Sequence, residues 1–179
     1  IGVRLVGSEM CIRDSMPAPV LAASELVLRL RAGEAAIIPT DTLPGLAVRP
    51  DQAQTLWRLK RRPADKPLIL MGASVNDLLH DVAVPCHREV AELAERYWPG
   101  ALTLVLPARD GSVGRYLNPG GTTLGCRIPA CEQTRALLQI SGPLATTSAN
   151  RSGEPASMTA AEAALVFPDV AQLGPQPWP

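Results

Sequence analysis

Short apolar runs, none longer than a strand, alternate along this chain with stretches of helical period, and that alternation admits few architectures. Residues 35–38, 67–71, 102–106, 124–128 and 144–147 read as buried strands. Between them, a helix capped by Ser24 runs to Arg31 and ends at Gly33, and Asp51 opens another with Leu56, Trp57 and Leu59 on one face. Ser74 with Asp77 forms a capping box, and Pro85 suits a first helical turn. Val90, Leu93, Ala94 and Tyr97 then keep helical spacing until Pro99. A helix over 132–140 and a second capping box, Thr159 with Glu162, ahead of a last helix complete the series. The pattern predicts an α/β domain, a sheet covered by helices. Residues 172–179 hold three prolines and are expected to form neither helix nor ladder.

Composition narrows the function classes. The 179 residues carry 17 Lys+Arg against 17 Asp+Glu, and a formal net charge of zero argues against a protein that coats nucleic acid or anionic membrane by bulk charge. No apolar window approaches the roughly 18 residues of a membrane span, so a cytoplasmic protein that crosses no bilayer is expected. With aromatics at 3% beside 18 Pro and 14 Gly, the core must be aliphatic and the loops stiff. Cys11, Cys86, Cys126 and Cys131 show no paired spacing and read as reduced thiols, with no zinc site expected. Residues 1–15 read as a non-native leader ahead of Met16, a native N-terminal strand being the lesser alternative, and 16–179 as one domain.

Four segments can carry chemistry. Residues 39–46 follow a buried strand and set Thr40, Asp41 and Thr42 between prolines, which suits either a polar small-molecule site at a strand end or a helix-cap and turn cluster. From Arg49 to Lys66 there are six basic residues against two acidic ones. Cations at a helix end are the ordinary account, but prolines fix the backbone around Lys60, Arg61, Arg62 and Lys66, and each charge-assisted bond to a phosphate contributes about 1.5–3 kcal/mol. No P-loop motif is present. Arg127 sits inside an apolar strand, where it either bridges to a carboxylate of the fold or receives an anionic group of a substrate. Residues 142–155 discharge a strand into a loop dense with hydroxyls and an amide, more than one turn needs. His80 and His87 stand in helical segments and neither reads as a catalytic base.

In order and spacing, over about residues 20–168, these segments resemble the YrdC-like family of threonylcarbamoyl-AMP synthases. The resemblance rests on Pro39 to Thr42, Lys60 and Arg62 with Lys66 to Leu68, Trp98 to Thr103, Thr123 to Pro129, and Ser148 with Asn150. It implies a twisted open mixed sheet with flanking helices around a large concave cavity. The implied reaction joins L-threonine, bicarbonate and ATP into threonylcarbamoyl-AMP and pyrophosphate, for modification of adenosine 37 in tRNA. By the same resemblance Lys60, Arg62, Lys66, Thr123, Ser148 and Asn150 would bind ATP, Lys60 and Arg62 being the catalytic pair. Thr42, Arg127 and Thr146 would hold threonine, Arg127 on its carboxylate. Magnesium would accompany the triphosphate, with no protein ligand identified for it, and the implied partners are tRNA or double-stranded RNA and downstream threonylcarbamoyl transferase proteins. The chain departs from the family pattern at Pro44, Met71 and Ala156, and is expected either to be cut short before the family's last strand and loop or to close its site differently. The competing readings are a carbamoyl-transferring relative of hydrogenase maturation proteins and a non-catalytic RNA-binding module.

Overall fold

The computed structural model describes residues 18–61, 63, 66–83 and 88–178. Arg62, Cys11, Cys86, Pro85, His87 and the 1–15 segment therefore lie outside the described residues. The chain runs β1 (Val20–Leu21), α1 (Ala23–Arg31), β2 (Ala36–Ile38), β3 (Gly45–Val48), a 3-10 turn (Pro50–Gln52), α2 (Gln54–Lys60), β4 (Ile69–Met71) and α3 (Val75–Leu79). It continues through α4 (Arg88–Tyr97), β5 (Leu104–Pro107), α5 (Gly114–Leu117), β6 (Thr123–Arg127), α6 (Glu132–Ser141), β7 (Leu144–Ser148), α7 (Ala160–Val166) and β8 (Ala171–Leu173). The strands form one mixed sheet in the order β1-β8-β2-β3-β7-β4-β6-β5, as expected of an α/β domain.

Side chains alternate between the two faces of a strand, so the register assigns each face its residues. On one face Ile37, Leu46, Leu70, Leu124, Cys126 and Ala145 pack with Leu56 and Trp57 of α2, Leu117 of α5 and Ala163 of α7. On the other, Ala36, Ile38, Ala47, Met71 and Leu144 lie beneath Leu26, Val27 and Leu30 of α1 and Leu137 and Leu138 of α6. Each such leucine, fully withdrawn from water, contributes about 1.5–3 kcal/mol. Among the described residues the second face is only partly covered. By pairing, Gly45, Thr146, Ser148, Ile69, Gly125 and Arg127 belong to it too, and Ile69 and Gly125 are half-buried while Ser148 is exposed.

Several elements depart from the sequence reading for local reasons. Ala22, not Ser24, precedes the first helical residue, and its N–H donates to the Glu25 carboxylate at 3.4 Å. Gly33 does end the helix, at φ +85°, with Glu34 N–H on the Arg29 carbonyl. Strand β4 starts at Ile69 because Pro67 has no N–H and Leu68 N–H goes to the Leu117 carbonyl. Strand β5 starts at Leu104 because the Trp98 indole donates to the Leu102 carbonyl at 2.7 Å and Gly100 N–H to the Ile128 carbonyl, holding that stretch in a turn. The Ser74–Asp77 capping box forms as read. At α7 Thr159 accepts from Glu162 N–H, but the Glu162 carboxylate takes the N–H of Met158 rather than of Thr159. The clearest correction concerns residues 172–179: Gln172 and Leu173 are ladder residues, paired with Val20 and Leu21 of β1, and Gln172 also with Ile37 of β2. Their prolines all follow the strand, so none has to donate to the ladder. Strands β1 and β3 and helix α5 had no signal strong enough to be read.

Candidate active site

Two loops, one running from β2 into β3 and the other leaving β7 beside the start of β3, meet over the part of the sheet face that the described helices leave open. In the first, Thr40 Oγ1 accepts the N–H groups of Thr42 and Leu43, both at 3.1 Å, and donates to the Leu43 carbonyl at 2.7 Å. This is the turn a threonine builds when it stands in for backbone. Thr134 of α6 pins the start of the loop by donating to the Pro39 carbonyl at 2.5 Å. So fixed, the loop aims Asp41 and Thr42 at Arg127 on β6. Asp41 Oδ1 accepts from Arg127 Nη2 at 2.8 Å and from Ala130 N–H at 3.0 Å, while Arg127 Nη1 donates to Thr42 Oγ1 at 3.2 Å and Nε to the Gly100 carbonyl at 3.1 Å. An arginine only 7% exposed is tolerated on these terms, with an ion pair and two further acceptors. Arg127 thus bridges to a carboxylate of the fold, and it also lines a cavity.

The second loop follows β7. Lys60, at the end of α2 and 3% exposed, donates to the Ser148 carbonyl at 2.5 Å, the Asn150 carbonyl at 2.7 Å and Asn150 Oδ1 at 2.9 Å. Ser148 Oγ donates to the same Oδ1 at 2.6 Å, and Asn150 Nδ2 donates to the carbonyls of Arg151 and Glu154. The loop in turn completes α2: Ser152 N–H and the Arg151 guanidinium take the carbonyls of Lys60 and Leu59, which the helix leaves open. Arg151 also lies 4.7 Å over the Phe167 ring. The buried ammonium therefore sits beneath the Ser148–Asn150 turn and holds its shape.

A cavity of about 300 Å³ opens between the loops, lined by Thr42, Gly45, Ile69, Met71, Arg127, Thr146 and Ser148. Thr146, almost wholly buried, donates to the Ile69 carbonyl at 3.2 Å. A second cavity of about 300 Å³ shares Thr40 and Thr42 with the first and is walled by Pro39, Pro44, Met158, Pro177 and Trp178. The loops are tied together behind both, Ala149 N–H meeting the Pro44 carbonyl at 2.8 Å and Ser157 donating to the Ala149 carbonyl at 2.6 Å.

Of the residues singled out from the sequence, Thr42, Arg127, Thr146 and Ser148 come together on one cavity, with Lys60 and Asn150 directly behind Ser148. Thr123 and Lys66 are exposed and outside its lining; Asn118 Nδ2 donates to Thr123 Oγ1 at 3.3 Å. Asp41 as the holder of Arg127, Gly45 and Ile69 were not singled out as site residues. Period two from Arg127 to Gly125 would have placed those two positions on one face, but the partners across the sheet cannot be read without the register. Among the described residues no three acidic, histidine or cysteine side chains stand together as metal ligands. His80 is exposed beside Asp81.

The comparisons with known proteins fall on this same stretch of chain. The family model for Sua5, YciO and YrdC, described as telomere recombination, matches residues 29–173. The threonylcarbamoyl-AMP synthases of Bacillus subtilis and Pyrococcus abyssi are each 38% identical, over 74% and 77% of this chain, which spans 39% and 41% of their lengths. That of Idiomarina loihiensis is 39% identical over 73% of both chains. Among solved structures, P. abyssi Sua5 complexed with L-threonine superposes with a TM-score of 0.78 at 33% identity, covering 84% of this chain and 45% of that one. E. coli YciO, at 21% identity and a TM-score of 0.73, shares the fold over 88% of this chain and 79% of that one. A profile match that takes in both loops, Arg127 and all but one edge strand of the sheet, with relatives this similar, means that the chain belongs to the Sua5/YciO/YrdC family.

Proposed function

We propose that this chain is a threonylcarbamoyl-AMP synthase, a nucleotidyltransferase acting on L-threonine, bicarbonate and ATP. The observation that carries this reading is Arg127: a buried guanidinium, fixed by Asp41, Thr42 and the Gly100 carbonyl, on the wall of a cavity that Ser148 also lines. An α-carboxylate is the complementary group for such a cation. The threonine amine takes up carbon dioxide from bicarbonate to give a carbamate and water. A carbamate oxygen then attacks the α-phosphorus of ATP, an O–P bond forms, and pyrophosphate leaves with the electron pair of the bond that breaks. No protein nucleophile is required, so catalysis consists of positioning and charge stabilisation.

In this assignment Arg127, Thr42 and Thr146 hold the amino acid. The Ser148–Asn150 turn, with the Lys60 ammonium beneath it and Arg62 and Lys66 on the following segment, receives the phosphates. The flat walls of the second cavity, Pro44, Pro177 and Trp178, suit a purine ring, which would leave the triphosphate across the Thr40–Thr42 boundary. Magnesium takes few protein ligands and keeps several waters, and no cluster of three acidic, histidine or cysteine side chains stands among the described residues, so the ion would enter on the phosphates of the nucleotide. The product would pass to transferase proteins acting on tRNA, in the cytoplasm; no helix among the described residues is long and apolar enough to cross a membrane.

Pyrophosphate release from ATP tests the assignment. It is expected to require threonine and bicarbonate together, and Arg127→Lys, which keeps the charge but loses the fork, is expected to lower kcat/KM for threonine by roughly tenfold to a hundredfold. Release that ignores threonine would contradict the assignment.

A further inference from the structure

Gly45 opens β3 on the floor of the first cavity, and the fold does not ask for a glycine there. Its φ is not in the left-handed region. A Cβ added to it would meet the Thr147 carbonyl oxygen at 3.5 Å, Ile38 Cγ1 at 3.7 Å and Thr40 Cγ2 at 3.8 Å, all ordinary van der Waals distances. Its two cross-strand neighbours, Ile38 on β2 and Ser148 on β7, both carry side chains on the same face. A glycine in a strand gives up stability relative to alanine, because its backbone loses more freedom on folding. The bare position thus interrupts a row of side chains where the cavity lies, at a cost in stability that packing does not explain.

We infer that Gly45 is a rate-determining clearance position: its bare backbone is the surface over which the two substrates are brought into contact. The inference rests on the synthase reading. Gly45 is paired with Ser148, at the proposed phosphate end, and it shares the cavity with Thr42 and Arg127, at the proposed amino-acid end. Joining a carbamate oxygen to the α-phosphorus brings those atoms to contact distance between the two ends. A side chain at position 45 leaves each end intact and takes up the space between them, so it would oppose the joining more than either separate binding event.

The test compares Gly45→Ala and Gly45→Val with the natural sequence in the full chain. The measurements are thermal melting, calorimetric titration with ATP alone, with L-threonine alone and with each in the presence of the other, and pyrophosphate release. Gly45→Ala is expected to melt no lower than the natural protein and to bind each substrate singly within about threefold of it. Turnover is expected to fall roughly a hundredfold or more, with the loss in kcat, and Gly45→Val is expected to be worse. A clear drop in melting temperature for Gly45→Ala would show that the fold itself needs the glycine and would overturn the inference, as would full turnover in Gly45→Val. Should the natural protein bind both substrates yet release no pyrophosphate, the synthase reading fails and the titrations still decide: joint binding lost only in the variants upholds the clearance role, and joint binding unchanged overturns it. A natural protein that binds neither substrate overturns both.

Discussion

Arg127 shows how a single residue can serve fold and chemistry together. Withdrawing a guanidinium from water costs several kcal/mol unless its donors are met, and here Asp41, Thr42 and Gly100 meet three of them while the cation still borders a cavity. The sequence left open whether this arginine pairs within the fold or waits for an anion; the carboxylate partner is 86 positions away, a distance no local pattern spans. Cys126 is the opposite case, a polar group made inert. Burial, and to a lesser degree the Asp81 charge, push its thiol from an ordinary 9.0 up to about 12. The folded state holds this proton where the unfolded chain has released it. The contribution is fully present below pH 9 and is lost as pH rises towards about 12, at up to about 1.4 kcal/mol per pH unit. Urea denaturation between pH 8 and 11 is expected to show a shallower decline for Cys126→Ala than for the natural protein. Equal slopes would show that the thiol does not titrate with folding.

At the scale of elements, legibility followed the strength of the local signal. Helix α3 could be read from its capping box, and β2, β6 and β7 from apolar runs that are buried in the sheet. Strand β3 begins at Gly45 immediately after a proline and a turn, and β8 has three residues before a proline-rich stretch, so turn signals outweighed strand signals at both. Their strand character comes from partners on β2, β7 and β1, which is tertiary information. The amphipathic reading of α4 was only partly realised, since Ala94 is buried while Leu93 and Tyr97 remain exposed. Helix α7 has seven residues and depends on its cap, Thr159 Oγ1 accepting from Glu162 N–H at 3.1 Å. Thr159→Ala is expected to lower stability by about 1 kcal/mol in chemical denaturation, and Thr159→Ser to restore most of it.

Across the whole molecule, the arrangement follows from one sheet whose two faces are treated differently. One face is covered by α2, α5 and α7; the other is covered by α1 and α6 over only part of its width, and the remainder carries Thr146, Ser148, Gly45 and Arg127. The sequence was enough to identify the family and four of the residues that line the cavity, Thr42, Arg127, Thr146 and Ser148. What it could not supply was the crossing of strands, β7 between β3 and β4, that turns residues from four distant segments into one wall. Lys60 illustrates the gap: its type and spacing marked it as a phosphate ligand, whereas its position beneath Ser148 and Asn150 depends on 88 to 90 residues of intervening fold. On the proposed function, this wall joins an amino-acid carbamate to a nucleotide. Mass spectrometry of a short incubation with ATP, L-threonine and carbon-13 bicarbonate tests this joining. Threonylcarbamoyl-AMP carrying one heavy carbon is expected, formed with pyrophosphate in equal amount and absent when threonine is left out. ATP and threonine recovered unchanged from folded protein that binds both, or AMP and pyrophosphate formed with no labelled adduct, would contradict it.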